Sequence, residues 1–172
     1  MQLQHFPLLQ KHQKQSNSNS TCKSFRKYCE ENLCGFYGKN YACPPYCGTP
    51  EEMEEKVRKH QNALVLKTSY EVNDAMGGSA MNPLKKKHTK MTLSLIKEIL
   101  KEDSCDYIGV MAGPCFYCPT CKMAEGKPCT CENMRFSCLS AYCIDVTKRA
   151  EICDMKISWD IHSVSFFSIY LF

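Results

Sequence analysis

The sequence predicts an α+β fold, a small three- to four-stranded sheet with packed helices and two cysteine-rich metal-binding loops. Three observations carry this expectation. Residues 63–70 (ALVLKTSY), 106–112 (DYIGVMA) and 163–172 have the β-branched and aromatic content of buried strands. Two windows, one before and one after the first of these runs, place apolar residues at helical spacing. Segments 22–47 and 115–131 crowd cysteine among glycine and proline with almost no apolar periodicity, so something other than a hydrophobic core must organise them.

Taken in order, residues 1–20 are rich in Gln, Asn, Ser and Lys and read as a mobile leader. Residues 21–172 read as a single cysteine-rich metal-binding domain. In its first segment Gly35, Gly38, Asn40, Pro44, Pro45 and Gly48 favour turns. A helix start follows: Thr49 caps, Pro50 suits the first helical position, and Glu52 completes a capping box. Met53 and Val57 share one face of that helix, which is expected to end near Gln61. The strand 63–70 comes next, then a loop over 73–90 holding Gly77, Gly78 and the run Lys85, Lys86, Lys87. A second helix over 91–102 carries Leu93, Ile96, Ile99 and Leu100 at helical spacing. The strand 106–112 runs straight into the second cysteine segment. Residues 137–142 and 146–153 read as helical, and 163–172 as a closing strand.

A chain of 172 residues buries roughly 70% of the surface it exposes when unfolded, so its 14 cysteines are not needed as covalent staples. No apolar stretch reaches the length of a signal peptide or of a membrane span. The expectation is a reducing, cytoplasmic setting with no membrane partner, where clustered thiols mean metal or redox chemistry. The net charge of +4 is too mild to argue for nucleic acid. No nucleophile elbow, H-E-x2-H or paired-carboxylate motif supports hydrolysis, so catalytic residues are not assigned.

The sharpest motif is Cys115-x2-Cys118-x2-Cys121, with Cys129 seven residues on. Three cysteines in this series can wrap three corners of an iron–sulfur cubane and leave the fourth ligand to a more distant residue, as in bacterial ferredoxin runs. Pro114, Pro119 and Pro128 keep the segment out of helix and leave amides free to point at sulfur. The spacing to Cys129 and the residue after it differ from the ferredoxin run, and Cys131 competes for the last position. Zinc is the alternative, but its structural sites usually pair two separated C-x2-C units, and a second unit is missing. The other set is Cys29, Cys34, Cys43 and Cys47, spaced C-x4-C-x8-C-x3-C, with Cys22 upstream. It has enough sulfur to close a further four-sulfur site or to share one with the first set. The two segments are expected at one end of the sheet.

Tyr37-Gly38-Lys39-Asn40, Cys43-Pro44-Pro45, Gly113-Pro114-Cys115 with Cys118 and Cys121, Pro128-Cys129 and Ile144-Asp145-Val146 together resemble the predicted metal-binding proteins of domain of unknown function 2284. The resemblance covers about Cys29 to the C-terminus and implies a metal-binding protein holding iron–sulfur, with no settled activity. The chain departs from that pattern in Tyr41-Ala42, where Trp-Ser usually precedes Cys-Pro-Pro, and in the extra Cys138 and Cys143.

Other residues have plainer readings. Cys105, Cys138, Cys143 and Cys153 border expected strands and helices, where free cysteine packs as a small hydrophobe. His5, His12, His60, His88 and His162 are scattered and read as surface residues. The lysine run reads as solvated. Gly77 and Gly78 read as linker, without the flanking pattern of a phosphate loop. The function expected is that of an electron carrier or redox accessory with a [4Fe-4S]-type cluster and a redox protein partner. A zinc-stabilised binding module and an iron–sulfur enzyme remain as alternatives.

Overall fold

The computed structural model describes residues 1–7, 18–73, 77–99 and 107–172. Strand β1 (Gln2–Pro7) comes first, then helix α1 (Ser18–Glu30), α2 (Pro50–Arg58), β2 (Asn62–Glu71), α3 (Asn82–Ile99), β3 (Ile108–Met111), β4 (Ser137–Cys138), α4 (Val146–Ile152) and β5 (Ser163–Leu171). The class is α+β, as expected. The sheet runs in the order β1-β2-β5-β3-β4. Its pairs are antiparallel except β3 with β4, which is parallel. The three strands legible in the sequence form the centre, and β1 and the two-residue β4 form the edges.

β5 is buried along almost its whole length and β2 from Ala63 to Thr68, because both faces of the sheet are covered there. Ala63 and Val65 point to one side, against Met53 and Val57 of α2 and Ala150 of α4. Leu64 and Leu66 point to the other, against Ile96 of α3, Met111 and Phe136. Alternate residues of one strand thus feed two cores. The helix α2 begins as its sequence dictates. Thr49 accepts from the Glu52 N–H, and the Glu52 carboxylate accepts from the Thr49 N–H at 2.7 Å.

Several expectations need correction. The leader contains strand β1, which adds to the edge of β2, and α1 begins at Ser18. The expected loop over 73–90 is helical from Asn82, so Lys85, Lys86 and Lys87 sit on the first turns of α3. Residues 137–142 are not helical: Ser137 and Cys138 pair with Val110 and Met111, and turns follow. His88 is wholly buried rather than a surface residue. Its Nδ1 lies 2.8 Å from Thr68 Oγ1 and its Nε2 2.8 Å from Ser168 Oγ, which joins α3 to β2 and β5. Burial pushes the imidazole down to about 4, so it is neutral at pH 7. No helix among the described residues is long and apolar enough to cross a membrane.

Candidate metal centre

Two turn-rich segments meet at the end of the sheet where β3 delivers Ala112 and Gly113. Asn40, almost wholly buried, joins them. Its Oδ1 accepts from the Ala42 N–H, and its Nδ2 donates to the Cys115 carbonyl at 3.1 Å. The Tyr41 hydroxyl donates to the Lys127 carbonyl, and the rings of Phe36 and Phe116 meet edge-on at 5.8 Å. The expected proximity of the two segments is therefore found.

Cys115, Cys118, Cys121, Cys129 and Cys131 all line one small gap of about 20 Å³, with Lys122 and Arg135 beside it. The Cys115 thiol is pushed up by burial, and the backbone N–H groups of Tyr117 and Phe136 aim at its sulfur and favour the thiolate. Desolvation and a hydrogen bond with Cys131 raise the Cys118 thiol. Cys129 and Cys131 both stand on this gap, so both candidates for the last position are within its wall.

A larger cavity of about 470 Å³ opens on the other side of Ala112, Gly113 and Pro114. Cys29, Cys34, Cys43 and Cys138 line it. The sulfurs of Cys29 and Cys138 lie 3.9 Å apart across a separation of 109 residues. Hydrogen bonding with Cys29 and the N–H groups of Ala141 and Ser140 lower the Cys138 thiol, while the Cys29 thiol is raised by the same bond and by burial. Burial raises the Cys43 thiol, and Cys138, Cys34, Cys47 and Cys115 push it further up. Cys47 does not line this cavity. It packs with Met53 and Val57 in the core, next to Arg26.

Two cations attend these sulfurs. Arg26 on α1 is buried, and its Nη2 donates to the Gly48 carbonyl at 2.6 Å, while its Nε is buried with no partner. It favours the thiolates of Cys29 and Cys47. Lys85 on α3 lines the larger cavity near Cys34 and Cys138; burial lowers its ammonium and those sulfurs hold it up. A side chain at Gly113 would meet the Lys85 stem at 3.1 Å, so glycine there leaves room for the lysine. A buried cation and a half-buried one among thiols are what a negatively charged thiolate–metal centre needs, because an unpaired charge in a low dielectric is costly.

Among the described residues, no three Cys, His, Asp or Glu side chains already stand at the geometry of one bound ion. The donor set nonetheless fits soft metals: sulfur ligands, amide donors aimed at two of them, and buried counter-charge. A family model described as predicted metal-binding protein, DUF2284, matches residues 17–172. The chain belongs to this family. No curated protein and no solved structure matches it. The DUF2284 description, a predicted metal-binding protein, agrees with the expectation drawn from the motifs at that level.

Of the remaining cysteines, Cys153 is buried in the core beside Met155, in keeping with a packing role. Cys143, expected to be a free packing thiol, is bonded in a disulfide. Cys105 lies outside the described residues. Neither Cys138 nor Lys85 was legible as part of a site, because only the parallel β3–β4 pairing and the start of α3 bring them there.

Proposed function

We propose that this protein holds a [4Fe-4S]-type cluster on the 115–131 segment and passes single electrons to or from a redox protein partner. Cys115, Cys118 and Cys121 serve as three ligands and Cys129 or Cys131 as the fourth. The observation that carries this reading is the gathering of all five sulfurs of the segment on one gap, with two amide N–H groups aimed at Cys115. When bound, such a cluster supplies one-electron chemistry. The chain's own residues do the rest. The cysteines bind, the Tyr117 and Phe136 amides stabilise sulfur charge, and Lys122 and Arg135 offset the negative charge of the bound centre. Tyr46 and Tyr117 are exposed near the segment and offer apolar rim to a docking partner.

Protein prepared without oxygen from iron-replete cells is expected to contain iron and acid-labile sulfide in near-equal amounts. Stoichiometric zinc with no labile sulfide would refute the cluster and leave a zinc-stabilised module. Cys121→Ser should lose that iron or convert the cluster to a lesser form.

A further inference from the structure

We propose that Cys29, Cys34, Cys43 and Cys138 form a second, separate thiolate metal site, completed by Cys138 from β4 rather than by Cys47. The proposal rests on the metal-binding reading above and adds to it a site assembled from two distant stretches of chain. Cys29 ends α1, Cys34 and Cys43 lie in the turns that follow, and Cys138 arrives through the pairing of Met111 with Cys138.

Four observations support it. All four sulfur-bearing residues line one cavity of about 470 Å³, and Cys47 is not among its walls. The 3.9 Å between the Cys29 and Cys138 sulfurs is close to the ~3.8 Å edge of a tetrahedron with metal–sulfur bonds of about 2.3 Å. The Ser140 and Ala141 amides aim at the Cys138 sulfur in the turn after β4, as amide donors do around a metal-bound thiolate. Arg26 on α1 brings positive charge to Cys29, and to Cys47 beside it, while Lys85 on α3 brings it to Cys34 and Cys138. Cys47 is near Arg26 and Cys138 but does not line the cavity: it belongs to the core cluster with Met53, Val57 and Ala63, and its thiol lies 3.8 Å from the Gly48 carbonyl. The ligand class is a soft metal bound by thiolates, as a single ion or as an iron–sulfur cluster. The cavity is large enough for either.

Wild-type protein and the variants Cys138→Ser, Cys138→Ala, Cys47→Ala and Cys121→Ser, all full-length and purified anaerobically, would be compared for iron, zinc and labile sulfide per chain. Electron paramagnetic resonance would be recorded after reduction. Both Cys138 variants should lose one share of the metal, Cys47→Ala should keep the wild-type content, and Cys121→Ser should lose a different share. Labile sulfide lost together with the Cys138 share identifies a cluster, and loss of zinc or iron without sulfide identifies a single ion. Full metal in folded Cys138 variants, or equal loss in Cys47→Ala, overturns the assignment while a Cys121→Ser loss leaves the first site standing. Wild-type protein without metal overturns both.

Discussion

Single thiols in this protein differ in what surrounds them: some line the two cavities and others pack in the core. Cys153 is almost wholly buried among Ala150, Met155 and Tyr142, outside both cavities. Cys153→Ser should therefore keep the wild-type metal content and lower stability by about 1–3 kcal/mol, the cost of placing a hydroxyl where a thiol had packed. Denaturant unfolding and metal analysis of the same sample check both halves, and metal loss would put Cys153 in a site. Cys115, Cys118 and Cys121 were recognisable as candidate ligands because one local spacing groups them within seven residues. Cys138 was not, since its neighbour Cys29 is brought to 3.9 Å by the fold alone. Cys47 shows the converse: a spacing that suits a metal set, on a residue whose sulfur the fold turns toward the core.

Among the elements, strands were easier to read than the start of α3. β2 and β5 carry continuous apolar runs, and α2 carries its capping box in four adjacent residues. α3 buries His88, Thr89 and Thr92 as well as Ile96, so its inward face is polar over the first turns and gives no apolar period until past Met91. Lys85, Lys86 and Lys87 then read as loop. β4 has only two residues and no pattern at all. It is nonetheless the element that returns the second cysteine segment to the sheet, and Gly109 of β3 makes room for that return. A Cβ at Gly109 would stand 2.7 Å from the Phe136 ring and 2.9 Å from Met111 Cε. Gly109→Ala should destabilise the fold by about 1–3 kcal/mol, as overpacking does. It should also weaken metal retention, because the displaced Phe136 supplies an amide to Cys115. Faster loss of metal to a chelator in Gly109→Ala, measured where the protein is still folded, is the expected result. An unchanged rate would mean that Phe136 does not support the site.

At the scale of the whole molecule, His88 couples stability to pH because it is the buried polar joint between helix and sheet. Its ring spans Thr68 on β2 and Ser168 on β5, and Thr92 of the next turn reaches the same Ser168 hydroxyl at 3.4 Å. The sequence offered no sign of this, since each partner is a small hydroxyl residue inside an apolar strand and the three meet only in the folded chain. In the unfolded chain the imidazole titrates near its ordinary 6.5, and in the fold burial holds it down to about 4. Between these values the unfolded state binds the proton and the folded state does not. Stability therefore rises with pH across the window: it is fully present above 6.5 and lost progressively as the pH falls toward 4. The loss attributable to His88 amounts to about 3 kcal/mol, each tenfold weakening of proton binding being worth ~1.4 kcal/mol. Carboxylates and metal-bound thiolates also respond to acid, so the quantity to measure is a difference of differences. His88→Gln keeps donor and acceptor capacity between Thr68 and Ser168 but does not titrate. Urea midpoints of wild type and His88→Gln, each at pH 7.5 and pH 4.5, cancel every other group the two share. The variant should start less stable at pH 7.5, because glutamine fills the space imperfectly, and then lose less on acidification. A wild type and a variant that fall in parallel would show that His88 is protonated in the fold at little cost, and that the joint is wetter than its burial indicates.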